Sequence, residues 1–225
     1  MQFLRENQPA AVQAIAKRIC DELFAGKRVL WLVSGGSNVA AEVSVMNLLH
    51  THCADKLEGL AVLPMDERYG KPGHAHSNTQ ALRDAGFDAG TATWVDVLMH
   101  DVSFEQTISF YTDVAATAFA NAGVIIGQFG LGTDGHTAGV LPGSPAASAD
   151  EATVSGYEWE DYQRLTLSPA ALRNVHAAYV LAYGAGKKVA LERLQKNAET
   201  LSHLPASLLY EIPEVSIYND DINEG

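Results

Sequence analysis

The stretch GVIIGQFGLGTDGHTAGVLPG, residues 123–143, decides how this chain is read. Its first part, Gly123 to Phe129, is a mostly apolar run of strand length, the pattern of a strand covered on both faces. Its second part, Gly130 to Gly143, alternates glycines with a carboxylate and a histidine. That composition suits a loop at a strand's end, where the backbone turns sharply and approaches a ligand closely. Asp134 and His136 stand two residues apart, so a strand-like or turn geometry brings both side chains over one spot. An imidazole beside a carboxylate is a proton-transfer pair. Taken without its context, the same composition also fits a Gly-rich turn with a solvated Asp and a surface His.

Working outward, strands and helices alternate. Pro9 to Phe24 carries Val12, Ile15, Ala16, Ile19 and Leu23 at helical spacing, with Gly26 as a stop. Arg28 to Val33 is an apolar strand, followed by Ser34-Gly35-Gly36-Ser37-Asn38 and a helix from Val39 to Leu49. A strand, a Gly-rich turn and a helix start leave free N–H groups at the positive end of a helix dipole, which a phosphate can use. The turn is neither GxGxxG nor GxxxxGK[ST], so it gives no support to a dinucleotide site or a P-loop, and Ser37 as a plain helix cap is the competing reading. Leu57 to Met65 is a second strand running into the charged loop Asp66-Glu67-Arg68, at the strand end where α/β sheets place ligands. Ser77 caps a short helix from Asn78 to Ala85, Thr93 to Leu98 is a short strand, and Ser103 with Gln106 forms a capping box for a helix to Ala122.

Beyond the loop, the small and acidic stretch to Asp161 is an excursion near the site. Gln163 to Leu167 is a strand carrying Arg164, Ser168-Pro169 starts a helix, and His176 to Tyr183 is another apolar strand. Gly184 to Lys188 opens a helix to about Ala198, Pro205 to Tyr210 is a short helix, Val215 to Tyr218 a last strand, and Asp220 to Gly225 a polar tail. The alternation predicts an α/β fold, a mostly parallel sheet with helices on both faces, in a single domain over residues 1–225.

Hydrophobic residues make up 47% of the 225, enough for a sizeable core. Net charge is −12, with 27 acids against 15 bases, which argues against nucleic acid and anionic membranes as partners. An anionic substrate would therefore need a few well-placed cations. The two cysteines, Cys20 and Cys53, lack a CxxC spacing and are read as reduced, buried thiols. No run approaches a membrane span and the N-terminus has no apolar signal region, so the expected location is cytoplasmic. His74 with His76, and His50 with His52 and Cys53, lack further ligands at a familiar spacing, so no metal is expected.

Four separated stretches together resemble the 6-phosphogluconolactonases, within the wider fold family that includes the glucosamine-6-phosphate deaminases. They are Ser34-Gly35-Gly36-Ser37, Asp66-Glu67-Arg68, Gly130 to Ala138 with its GxDGHT pattern, and Arg164 with Gly184-Ala185-Gly186-Lys187. The likeness spans about residues 9–218. It implies a modified Rossmann-like core with the site at the strand C-termini. It implies a sugar phosphate held by Ser34, Gly35, Gly36 and Ser37 with Arg164 and Lys187, and further contacts from Arg68 and Gly132. It implies a catalytic set of His136, Asp134 and Asp66, with His136 as acid and base, Asp134 tuning it, and loop N–H groups as candidate oxyanion donors. No metal or organic cofactor is required, and the expected state is a monomer or weak homo-oligomer.

Within that resemblance, the deaminases carry a glutamate five residues after the loop histidine, where this chain has Leu141. Leu141-Pro142-Gly143, Thr137 after His136, and Arg68 after Asp-Glu favour the lactonase. Asn38-Val39 replaces a frequent Thr-Pro, and Tyr69-Gly70 echoes the deaminase side. The leading expectation is hydrolysis of 6-phosphogluconolactone. The alternatives are an amino-sugar-phosphate deaminase or isomerase, and a sugar-phosphate sensor without turnover.

Overall fold

The computed structural model describes residues 1–149, 153–160 and 162–223. In chain order the elements are β1 (Gln2–Leu4), α1 (Gln8–Phe24), β2 (Val29–Val33), α2 (Val39–His52), β3 (Leu60–Pro64), β4 (Asp66–Arg68), α3 (Asn78–Asp84) and β5 (Thr93–Trp94). They continue with α4 (Phe104–Asn121), β6 (Val124–Gly130), β7 (Val154–Trp159), β8 (Tyr162–Leu167), α5 (Pro169–Leu172), β9 (Ala177–Ala182), α6 (Lys188–Lys196) and β10 (Glu214–Asn219).

Seven strands form one sheet in the order β1-β10-β9-β6-β2-β3-β5, and every neighbouring pair is parallel. The apolar runs of β2 and β6 are buried on both faces, as a central parallel strand requires. Trp31 and Val33 pack with Ile15, Ile19, Val45 and Leu49 of α1 and α2. Leu30 and Leu32 face the other way, into a core with Tyr111 and Ala115 of α4 and Leu191 of α6. The expected sheet with helices on both faces is therefore present. Chain order reverses at β2: the chain passes to β3 on one side, while β6 lies on the other. The crevice between the C-terminal ends of β2 and β6 is a topological switch point, where such sheets bind ligands.

Local signals hold at the helix starts. Ser103 and Gln106 form the capping box of α4, and the Ser77 and Ser168 side chains cap α3 and α5. Several expectations need correction. The strand expected from Leu57 begins at Leu60, because Ala54–Gly59 turns as a 3-10 helix. The strand expected over 93–98 pairs only at Thr93–Trp94. Ser37 makes no cap bond, and Asn38 occupies the N-cap of α2. The N-terminal Gln2–Leu4, not assigned as a strand, adds an edge beside β10.

The charged loop Asp66–Arg68 is a strand, and part of the expected excursion is β7. Both pair with β8 in a three-stranded antiparallel sheet of order β4-β8-β7. Cys20 and Cys53 are not free thiols: α1 and the end of α2 pack face to face and the two sulfurs are bonded, with Cα atoms 5.8 Å apart. Glu224, Gly225, Asp161 and residues 150–152, which fall within the expected tail and excursion, lie outside the described residues. Among the described residues no helix is long and apolar enough to cross a membrane.

Candidate active site

The loop after β6 is built around a pair. Asp134 Oδ1 lies 2.7 Å from His136 Nδ1 and also accepts the His136 backbone N–H at 3.0 Å. The bonding to His136 holds the Asp134 carboxyl down at about 2 against the opposing effect of partial burial. Asp134 is therefore anionic at any working pH, and it fixes the Nδ1 side of the imidazole. Among the described residues Nε2 has no hydrogen-bond partner. The loop folds around this pair: Gly132 N–H donates to His136 O at 2.8 Å, and Thr137 Oγ1 to Gly130 O at 2.9 Å. A Cβ on Gly132 would lie 2.1 Å from His136 Nδ1 and 2.5 Å from Asp134 Oδ1, so only glycine leaves room for the pair.

The small second sheet supplies the opposite wall. Asp66 and Arg68 point the same way from β4, and the register sets Asp66 opposite Thr166 and Arg68 opposite Arg164. Two arginines directly opposite one another repel. Neither forms an ion pair among the described residues: Arg68 donates to the His76 carbonyl at 3.1 Å, and the Arg164 Nε has no acceptor. The Nε atoms of both are buried without an acceptor. Each guanidinium carbon lies 5.7 Å from the centre of the Tyr162 ring, a cation–π contact that orients both toward the crevice.

Asp66 is buried and accepts the Asn78 side-chain amide at 3.1 Å. Burial pushes its carboxyl up to about 6, opposed by Arg68, His136 and Arg164 and reinforced by Glu67. Glu67, also buried, takes the Ser77 hydroxyl and the Asn78 and Thr79 N–H groups at 2.7–3.0 Å, which fixes the start of α3 and so Asn78. Lys187, at the N-cap of α6, donates its ammonium to the Leu131 carbonyl. Burial lowers its pKa, with Asp134 acting in the other direction. On the remaining side, the turn after β2 presents Gly36 and Ser37, while the Ser34 and Gly35 N–H groups point inward to Glu42.

These groups enclose a cavity of about 110 Å³ at the switch point. Every residue predicted for the site lines it except Asp134, which stands behind His136 as the imidazole's partner. A larger cavity of about 600 Å³ lies at the opposite, N-terminal ends of β2 and β3, away from these converging groups. The N–H groups of Gly132, Gly135, His136 and Gly139 already have acceptors, which narrows the candidate oxyanion donors to the other N–H groups of the loop. Sequence reasoning missed Glu42, Glu67, Asn78 and Tyr162. The Ser77 cap signal marked the neighbourhood of Asn78, whereas nothing in the local pattern marks Glu42. Among the described residues there is no group of three or more His, Cys, Asp or Glu that could hold a metal.

Comparison with known proteins agrees with this architecture. Residues 5–216 match the family described as glucosamine-6-phosphate isomerases/6-phosphogluconolactonase. The chain belongs to this family. Among its relatives, the 6-phosphogluconolactonase of Helicobacter pylori is 29% identical over 174 residues, which are 73% of this chain and 72% of that protein. The crystal structure of a 6-phosphogluconolactonase from Shewanella baltica shares the fold with a TM-score of 0.77 at 19% identity, covering 97% of this chain and 95% of that one. A monomeric glucosamine-6-phosphate deaminase shares it with a TM-score of 0.80 at 16% identity, covering 97% of each chain. The fold is thus common to both branches of the family, and the choice between them rests on residues.

Proposed function

We propose that this chain hydrolyses 6-phosphogluconolactone to 6-phosphogluconate, the lactone-opening step of the oxidative pentose-phosphate route. The observation that carries the reading is the cavity itself: an Asp134–His136 pair opens onto the same small space as Arg68, Arg164 and Lys187, none of which forms an ion pair among the described residues, with the buried Asp66 as the carboxylate beside them. In a chain of net charge −12, such cations are matched by an anion from outside.

The phosphate is held between the Gly36–Ser37 turn and these cations. With Nδ1 engaged by Asp134, His136 Nε2 removes a proton from water, and the hydroxide attacks the lactone carbonyl. Asp134, anionic throughout, stabilises the imidazolium that forms. The oxyanion lies in the field of the arginines, and His136 then returns the proton to the ring oxygen as the C–O bond breaks. Asp66, held by Asn78, orients a sugar hydroxyl. None of these steps calls on a metal or an organic cofactor.

Leu141 supports the lactonase over the deaminase branch. It packs its apolar side chain against the core at the position where deaminases need a proton-transferring glutamate. The whole constellation lies within one chain, in keeping with a monomer or weak homo-oligomer and with residues 1–225 as a single domain. A cytoplasmic location belongs to the same reading, because a dianionic sugar phosphate does not cross a bilayer unaided. The test compares 6-phosphogluconolactone with unphosphorylated gluconolactone and monitors ammonia release from glucosamine 6-phosphate. The expected result is a kcat/KM preference of at least ~10²-fold for the phosphorylated lactone and no ammonia. Equal rates on both lactones, or ammonia release, would contradict the proposal.

A further inference from the structure

Glu42 is a fully buried carboxylate in the first turn of α2, directly beneath the turn that follows β2. Its Oε1 accepts the Ser34 N–H at 2.8 Å and the Gly35 N–H at 3.1 Å, and its Oε2 lies 3.2 Å from the same Gly35 nitrogen. Gly35 sits in left-handed backbone, φ 67°, so the turn has little intrinsic preference for this shape and the carboxylate holds it from below. These two bonds also decide which donors face the ligand: Ser34 and Gly35 point inward, leaving Gly36 and Ser37 at the crest. The two residues that Glu42 holds, Ser34 and Gly35, themselves line the cavity.

We propose that Glu42 is a positioning residue for the phosphate-binding turn, and that its proton is linked to occupancy: a phosphate docking on the turn draws a proton onto Glu42. This rests on the reading of that turn as the phosphate site. The physical reason is competition for one positive field. An ionised carboxylate in the first turn of α2 already satisfies the helix dipole there, and an anion above the same turn meets its repulsion through low-dielectric protein. From β4, Asp66 adds negative charge near Glu42, while the cationic or titratable groups Arg68, Arg164, His136 and Lys187 line the cavity. Burial, opposed by the two backbone bonds, pushes the Glu42 carboxyl up to about 7. The group is therefore poised between its two states near neutrality, where a second anion tips it to the neutral form.

The sign follows from linkage. Binding raises the Glu42 pKa, so protons are taken up between the free and bound values, and affinity falls as pH rises through that window. Calorimetric titration of the full chain with 6-phosphogluconate at pH 7.5, in two buffers of different ionisation enthalpy, counts those protons. At that pH the ligand's own phosphate, with a second pKa of about 6, is already largely dianionic. The expected result is net uptake of roughly a quarter of a proton or more per ligand in the wild type, and its loss in Glu42→Gln. The Kd should also rise with pH above 7 by up to about tenfold per unit in the wild type relative to Glu42→Gln. Asp66→Asn separates the two acids and should keep the uptake. Should Glu42→Gln not fold, the wild type and Asp66→Asn still decide: no uptake in either overturns the proposal. A folded Glu42→Gln with wild-type proton balance and pH profile overturns it as well. A wild type that binds no 6-phosphogluconate at any pH instead removes the phosphate reading of the turn, and the linkage with it.

Discussion

His136 has one ring nitrogen committed to Asp134 and one with no partner among the described residues, so at the scale of single residues the account makes sharp demands. Replacing Asp134 by Asn removes the charge that steadies the imidazolium but keeps the shape. The expected effect on kcat is a loss of ~10²-fold or more with little change in KM, read from steady-state kinetics; an unchanged kcat would show that Asp134 is only a loop-former. Gly132→Ala places a methyl group where the His136–Asp134 contact lies. It should cost ~10²-fold or more in rate through a displaced imidazole while circular dichroism stays that of the wild type. An active Gly132→Ala would mean that the observed pair geometry is not the working one. Spacing in the sequence was enough to bring Asp134 and His136 together, because two residues in a Gly-rich turn have few other places to go. Glu42 was hidden for the opposite reason: a glutamate within a helix is normally solvated, and only the packing of α2 under the β2 turn buries it.

Between elements, the informative contact is the antiparallel pairing of β4 with β8. It sets Arg68 against Arg164, a repulsive cross-strand pair that makes no ion pair among the described residues and is offset only in part by the field of the buried Asp66. Function and stability should therefore part here. Arg68→Gln, without ligand, is expected to gain roughly 0.5–1 kcal/mol of stability in urea unfolding while raising KM for the phosphorylated lactone by ~10-fold or more. A destabilised variant with normal KM would assign Arg68 a structural role. This second sheet was the least legible part of the chain. β4 reads as charged loop and β7 as a small, acidic excursion, since neither alternates apolar with polar residues over enough positions to signal a strand. β4 is a strand because β8, distant in the chain, offers it a backbone partner, and β7 is one because it pairs antiparallel with β8, the strand that follows it. The main-sheet strands were legible because parallel strands buried on both faces are nearly continuous apolar runs, and their helices carry clear caps.

For the whole molecule, the order of strands places the site without reference to any motif: the chain reverses direction of growth at β2, and the loops after β2 and β6 meet there. Topology of this kind is absent from local sequence, as is the Cys20–Cys53 bond, which joins residues that only the packing of α1 on α2 brings together. Burying Glu42 beneath that site and Asp66 in its wall has a cost that should be visible in global stability. Glu42 at about 7 and Asp66 at about 6 both lie above the ordinary carboxylate range. Between the ordinary range and those values the folded state binds more protons than the unfolded one, so stability falls as pH rises. The expected result is a lower thermal midpoint at pH 8 than at pH 5, with Glu42→Gln flattening the decline by on the order of 1–3 kcal/mol. Identical pH profiles for the two proteins would mean that Glu42 is not charged at a cost in the folded state.

The central claim is that His136 opens a phosphorylated lactone in this cavity. Its most direct test is the rate of 6-phosphogluconolactone hydrolysis above the spontaneous background, measured for the wild type and for His136→Ala. The account predicts a clear wild-type acceleration that falls by at least ~10²-fold in the variant. No acceleration by folded wild-type protein, or equal acceleration by both, would contradict it.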